Sequence, residues 1–250
     1  MIKENWTIIY YTADASVFPF IHKSFYEKSN PSANILYADG REYFLPRPHS
    51  SYKVKDVNSN VVVDFSKMAL HDSRRDRLRY ILVRNNDKFL RDWLKDNFHM
   101  ITTTNVAFFE WDVLLNKQLP NTNVNGFTSW RSAERSHSNW SKWPWLKETV
   151  RHGKNIKTVV SPFGGFYSTR DFVKEMISSK YDYLYNKDIF CESRTSILVN
   201  IIDVKTEEDK EIFNQPSPIN KPEFLNREYE NIDEVPIGCF HPIKKNILAK

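Results

Sequence analysis

The run from Val106 to Leu115, VAFFEWDVLL, constrains this chain more than any other segment. It is the most apolar stretch of the sequence, and its aromatic and β-branched residues fit a buried, pleated surface, so it reads as a central strand. It nevertheless carries Glu110 and Asp112. In an extended chain, residues i and i+2 share one face, so the two carboxylates point the same way and Trp111 points opposite. Carboxylates left unpaired at the end of a buried strand repel each other and are costly to desolvate. Two resolutions are open: Arg or Lys partners at a strand edge, or a divalent cation. Hard carboxylate oxygens suit Mg²⁺ or Mn²⁺, with phosphate oxygens and water filling the other positions.

Strand and helix patterns alternate around this run. Trp6 to Tyr11 (WTIIYY) reads as a buried first strand, broken by Thr12-Ala13-Asp14-Ala15-Ser16. A helical spacing of Val17, Phe18, Phe20, Ile21, Phe25 and Tyr26 follows, with Pro19 tolerated in its first turn. Asn34 to Ala38 is a second strand ending at Asp39-Gly40, the segment from Pro46 to Lys55 reads as loop, and Arg79 to Val83 reads as a strand. Asp87 caps a helix with Phe89, Leu90, Trp93, Leu94 and Phe98 on its apolar face. Asn121 to Trp145 is polar, Ser/Asn-rich and aromatic, and reads as an active-site loop. Ile156 to Val160 is a further strand, Ser168-Thr169-Arg170-Asp171 fits a capping box, and a helix begins near Ser193. Thr206 to Asp209 reads as a helix cap and the tail from Pro216 as loop. The alternation predicts one α/β domain over residues 1–250 with a mostly parallel sheet flanked by helices. Ligands of such sheets bind beyond the carboxyl ends of the strands, where Asp14, Asp39 and Asp112 stand.

Bulk properties narrow the class only slightly. A net charge of +5 suits an anionic substrate such as a nucleotide diphosphate, and equally nucleic acid or an acidic membrane surface. The two cysteines, Cys191 and Cys239, form no CxxC pair, which makes a reducing, cytoplasmic compartment the simpler expectation. No stretch approaches the ~18 apolar residues that span a bilayer, so no transmembrane segment is expected, while peripheral membrane contact stays open.

Glu110-Trp111-Asp112 at the end of an apolar strand resembles the acid-x-Asp motif of GT-A glycosyltransferases, the nucleotide-diphospho-sugar transferase fold. The resemblance covers most of the chain in order. The strand ending at Thr12-Ala13-Asp14 resembles the family's nucleotide-binding opening loop. Asp39-Gly40 resembles its acid-Gly turn, although Asp-Gly is also a favoured turn pair in general. Pro162-Phe163-Gly164-Gly165-Phe166 resembles its Gly-Gly segment, or is a plain strand-to-helix turn. The resemblance implies a three-layer sandwich that binds a nucleotide-diphosphate sugar donor and a glycan or other hydroxyl acceptor. It implies Mn²⁺ or Mg²⁺ held by Asp112 and His241, with Glu110 in place of the more usual Asp, reaching the metal, the ribose or a metal-bound water. Thr12, Asp14, Asp39, Glu110, Trp111, Gly164, Gly165 and Lys244 would then contact the donor, Lys244 neutralising its diphosphate.

Glu192 precedes an apolar helix, where the helix dipole keeps a carboxylate ionised, and is the candidate general base of an inverting transfer. The alternative is that Glu192 caps its helix or pairs with Arg194. Trp130, Trp143 and Trp145 are candidates for the acceptor site, since aromatic faces stack on sugar rings, or else they close a long loop by packing on one another. Arg74, Arg75, Arg77 and Arg79 form either a diphosphate contact or a solvated basic face. Two other classes compete. A nucleic-acid-binding module would explain the basic run and the Trp-rich segment, but not acids at strand ends, so no nucleic acid is expected. A nucleotidyltransferase would use metal and acids, but its usual Gly-rich loop with a Lys near the N-terminus is missing.

Overall fold

The computed structural model describes residues 5–12, 19–39, 53–55, 62–64, 86–110, 113–187, 189–209, 231–235 and 237–240. Strand β1 (Trp6–Thr12) leads through helix α1 (Pro19–Ser29) to β2 (Asn34–Asp39), which pairs parallel to it in register from Thr7↔Asn34 to Thr12↔Asp39. A short antiparallel pair follows, β3 (Lys53–Lys55) with β4 (Val62–Asp64), where loop alone was expected for the first of them. Helix α2 (Asn86–Asn97) then leads to β5 (Asn105–Glu110), which lies parallel to β1 on the side away from β2. The chain therefore leaves β1 in one direction for β2 and returns on its other flank as β5. The carboxyl ends of β1 and β5 form a topological switch point, the usual ligand crevice of such sheets.

The apolar run of residues 106–115 is not one strand. The Val113 amide donates to the Glu110 carbonyl at 3.0 Å, closing a turn, and the chain continues as β6 (Leu114–Asn116) in a separate small sheet. The strand that carries Glu110 ends at that residue, and Asp112 lies outside the described residues, as does its relation to Glu110. β6 pairs antiparallel with β10 (Gly238–Phe240) from the tail, Phe240 opposite Leu114.

β7 (Phe127–Glu134) and β9 (Thr206–Glu208) occupy segments read as active-site loop and helix cap. β8 (Thr158–Thr169) runs antiparallel to both β5 and β7, so the main sheet, ordered β2-β1-β5-β8-β7-β9, is mixed rather than mostly parallel. Pairing of β7 with β8 jumps from Ser129↔Phe166 to Arg131↔Ser161, so Pro162–Gly165 bulge away from β7. Pro162 has no N–H for a ladder, and Gly164 takes φ +78°, so these residues suit a bulge. The Gly-Gly segment thus lies inside a long strand, not at a strand-to-helix turn.

Each face of the sheet carries its own core. Trp6, Ile8, Tyr10, Ala107 and Phe109 pack with Tyr26 of α1, Leu115 and Cys239 on one side. Ile9, Tyr11, Val106, Phe108 and Phe166 pack on the other against α2, α4 (Arg170–Met176) and α6 (Cys191–Ile202). α3 (Leu146–His152) abuts α6, and α5 (Asp182–Tyr185) leads toward it. The arrangement is helix, mixed sheet, helix. The α4 cap is Thr169, whose Oγ1 accepts from the Phe172 amide at 3.1 Å, one residue later than the sequence pattern placed it. No helix among the described residues is long and apolar enough to cross a membrane.

The largest fully buried side chain is Arg194. Its guanidinium pairs with Asp87 of α2, donates to the Leu184 carbonyl at 3.2 Å and the Ile189 carbonyl at 2.5 Å, and lies 5.0 Å from the Tyr185 ring centre. Arg91 sits 4.2 Å from the same ring and donates to the carbonyls of Met176 and Ser178. A charge removed from water persists only when paired and fully hydrogen-bonded, and these partners meet that demand. We predict that Arg194→Met costs about 3–5 kcal/mol by leaving Asp87 uncompensated, and that adding Asp87→Leu recovers most of it. Urea denaturation midpoints of the two variants measure this; a loss below about 1 kcal/mol for the single variant would show that the pair does not hold α2 to α6.

Candidate functional site

Glu110 ends β5 beside Tyr11, its register partner in β1. The Tyr11 hydroxyl donates to Glu110 Oε1 at 3.4 Å. Burial, then the Glu110 carboxylate, raise the Tyr11 phenol well above its ordinary range, so it stays a donor. A pocket opens below these two residues, lined also by Asp87 and Leu90 of α2, Pro162 and Phe166 of β8, Met176, Tyr185, and Cys191 and Thr195 of α6. The switch point therefore has a cleft with acids at its rim.

Glu192 stands in the first turn of α6, adjacent in sequence to Cys191, which lines this pocket. The Ser161 hydroxyl donates to its Oε1 at 3.0 Å. Glu192 does not pair with Arg194, which is committed to Asp87, and it does not cap the helix. That role falls to Glu148 of α3, whose Oε2 accepts from the Phe190 amide and the Ser193 hydroxyl, both at 3.0 Å. Burial pushes the Glu192 carboxyl up to about 7, against the downward pull of the Ser161 hydrogen bond and the Arg131 charge. The helix dipole does not keep this carboxylate fully ionised, as sequence position alone implied; it is poised between its two forms near neutrality. The neighbouring Cys191 thiol is raised well above its ordinary range, first by burial and then by Asp87, Glu192 and Glu110, so it is a poor nucleophile.

Gly165 pairs with Phe109, and a Cβ there would lie 2.6 Å from the Phe108 carbonyl oxygen and 2.7 Å from the Phe109 ring. The close approach is thus to β5 itself, an observation that accounts for the glycine by packing.

The three candidate tryptophans are not brought to one place. Trp130 packs against the Trp6–Tyr10 face of the sheet, with the Arg131 guanidinium 4.0 Å from its ring centre. Trp143 packs against the opposite core. Trp145 stacks on Phe190 at 4.0 Å, directly before α6, and its carbonyl accepts from Ser193.

Thr12 and Asp39 are register partners at the ends of β1 and β2. Asp14, Gly40, Trp111, Asp112, His241, Lys244, the arginines at 74, 75, 77 and 79, and the strand expected at 79–83 lie outside the described residues. Among the described residues no group of three His, Cys, Asp or Glu side chains is placed to hold a metal. Phe240, the residue before His241 in sequence, is held opposite Leu114, the second residue after Asp112. Sequence reasoning missed Ser161, Glu148, Asp87 as an ion-pair partner, and Tyr185, because none stands in a motif; a lone Ser two residues before Phe163 gives no signal of its own.

Two outcomes follow from this geometry. Gly165→Ala lowers stability by about 1–3 kcal/mol through overpacking against β5 backbone, read as a shift of the urea midpoint. Glu192 has a folded-state value above its unfolded one, so the folded state binds the extra proton between pH 4.5 and about 7. Its burial therefore costs stability as pH rises through that window, and Glu192→Gln is more stable than the native chain by about 1–3 kcal/mol at pH 8 and equal to it near pH 4. Thermal melts across that pH range decide it. No family model matches the chain, and no curated protein matches its sequence.

Proposed function

We propose that the chain is a metal-dependent glycosyltransferase that moves a sugar from a nucleotide-diphosphate donor to an acceptor hydroxyl, with inversion. The single observation that carries this reading is Glu192, a carboxylate poised near pH 7, bonded to Ser161 and adjacent in sequence to Cys191, which lines the pocket that Tyr11 of β1 and Glu110 of β5 also line. A general base works best when its pKa lies near the working pH.

The switch point supports a nucleotide donor held across the ends of β1, β2 and β5 by Thr12, Asp14, Asp39 and the Glu110-Trp111-Asp112 segment. Among the described residues the pocket lining carries Glu110 and Asp87 and no basic side chain. A diphosphate would be repelled there unless a cation intervened, which fits Mn²⁺ or Mg²⁺. The residues that would hold it are Asp112, His241 and Glu110, and pairing of β10 with β6 draws the tail toward the turn that contains Asp112 in sequence. The ion supplies neutralisation of charge on the diphosphate leaving group. Glu192 takes the proton of the acceptor hydroxyl as its oxygen bonds to the anomeric carbon. The bond from that carbon to the diphosphate oxygen breaks, and its electron pair leaves with the nucleoside diphosphate. Lys244 belongs to the same reading as a counter-charge, Trp145 as the acceptor-side aromatic nearest α6, and a cytoplasmic location as its setting.

A thermal-shift panel of sugar nucleotides with and without Mn²⁺ tests it. One donor at about 100 times its Kd stabilises the chain by about 2.7 kcal/mol only with the metal. Asp112→Ala and His241→Ala abolish that shift. Glu192→Gln retains it and loses transfer by about 10²–10⁴-fold, and native kcat/KM rises as pH passes about 7. Undiminished transfer by Glu192→Gln would remove the base and with it the inverting mechanism; a shift that survives EDTA would remove the metal.

A further inference from the structure

Helix α6 is fastened to β8 by side chains one turn apart. Pairing of β5 with β8 stops at Phe109↔Gly165, so residues 158–162 of β8 have β7 along one edge and, among the described residues, no strand along the other. Backbone N–H and C=O groups on that open edge still need partners. Asn200 serves residue 158: its Nδ2 donates to the Thr158 carbonyl at 2.6 Å and its Oδ1 accepts from the Thr158 amide at 3.1 Å. Ser196, one turn earlier, serves residue 160: its Oγ accepts from the Val160 amide at 3.0 Å and donates to the Val160 carbonyl at 3.2 Å. Positions 192, 196 and 200 share one face of the helix, so Glu192 is the next member of the series.

The series breaks at that member for a reason written in the sequence. Backbone groups of a strand alternate between its two edges, so residue 162 presents its groups to the same edge as 158 and 160. Residue 162 is proline and has no N–H to give. An ionised carboxylate can only accept, so Glu192 finds no backbone donor there and takes the Ser161 hydroxyl on Oε1 instead, at 3.0 Å. Among the described residues Oε2 has no donor. Burial raises the Glu192 carboxyl, while the Ser161 bond and then Arg131, the register partner of Ser161 on β7, oppose that. The other charged groups nearby are engaged elsewhere: Glu148 of α3 by Phe190 and Ser193, and Asp87 of α2 by Arg194. The Cys191 thiol, on which Glu110 of β5 also acts, stays protonated.

We propose that Ser161 and Pro162 are positioning residues for Glu192. Pro162 withholds the N–H that its place on the open edge of β8 would otherwise offer, which leaves Glu192 outside the clasp formed by Ser196 and Asn200. The Ser161 hydroxyl then holds one carboxyl oxygen, so that the other stays available to an acceptor hydroxyl. The inference deepens the glycosyltransferase reading by naming what keeps its base unengaged, and it rests on that reading for the identity of the acceptor.

Carboxyl-carbon NMR of the full chain, with Glu192 assigned by the loss of its signal in Glu192→Gln, reads the titration with no substrate present. The native midpoint is expected at about 7. Ser161→Ala removes a bond that favours the ionised form, so the midpoint rises, and Ser161→Thr, which keeps the hydroxyl, returns it. Pro162→Ala restores an N–H, so the midpoint falls by roughly one pH unit and the new amide resonance at position 162 moves with it. Simple loosening of β8 would admit water and lower the midpoint in both alanine variants, so displacement in opposite directions is the signature. A fall in Ser161→Ala, or an amide at position 162 indifferent to the titration, overturns the inference. Under the transfer reading, Pro162→Ala also loses transfer by about tenfold with donor binding unchanged, because its base is weaker and already engaged. Undiminished transfer by that variant removes the positioning role. The expected titrations in a native chain that transfers no sugar uphold the placement of Glu192 and remove the glycosyltransferase reading instead.

Discussion

The buried guanidinium of Arg194 is the interaction on which the arrangement of this molecule depends. It joins the start of α6 to the start of α2 through Asp87, and it fastens the turn between α5 and α6 through the Leu184 and Ile189 carbonyls. Hydrophobic contact alone would hold these helices against the sheet without fixing their register, since apolar burial is non-directional. A fully desolvated planar cation admits few placements that satisfy all its donors. Holding Arg194 in that way fixes the first turn of α6, which carries Glu192 and the pocket residue Cys191, and sets Asp87 and Tyr185 in the pocket wall. Under the proposed function, Arg194 positions these acids and has no step of its own in the transfer.

A second constraint comes from chain reversal. β5 could have continued as apolar strand through Leu115, yet the turn closed by Glu110 and Val113 diverts it into a different sheet. Burying Leu114 and Leu115 there requires a partner for their backbone, and β10 from the far end of the chain supplies it. The sequence-distant tail is thereby tied to the strand end that carries the acids. The bulge of Pro162–Gly165 complements this on the other side, since it loosens β8 from β7 where Pro162 lines the pocket and lets Ser161 meet Glu192.

What could be read in advance depended on whether information was local. β1, α1, β2, α2, α4 and α6 were legible because periodicity and turn residues are properties of short windows. The acid pair at the end of the apolar run and the candidate Glu192 were legible for the same reason, since charge inside a hydrophobic pattern is conspicuous. The sense of β8 was not, because pairing direction depends on where the chain returns in space. β7 was hidden in Phe127–Glu134 by its polar residues, which reflect a strand with half-buried positions rather than a loop. Arg194 beside Glu192 looked like a local pair, whereas its true partner, Asp87, lies 107 positions away. The three tryptophans looked like one cluster because they are close in sequence, but Trp130 belongs to β7 and packs on one face of the sheet, whereas Trp143, beyond that strand, packs on the other.

The electrostatics of the crevice bear on which class of partner the protein can serve. Glu110, Asp87 and Glu192 all act on the Cys191 thiol, so three carboxyl groups converge within one small volume. Arg194, buried close by, is already engaged by Asp87 and carbonyls. A polyanionic backbone approaching this opening would meet acids rather than the basic surface that the net charge of +5 advertises elsewhere. Phosphate binding there thus demands an added cation, whereas hydroxyl groups need none, because carboxylates accept their hydrogen bonds directly. The proposed sugar nucleotide presents both kinds of group, whereas a nucleic acid meets a protein chiefly through its phosphates.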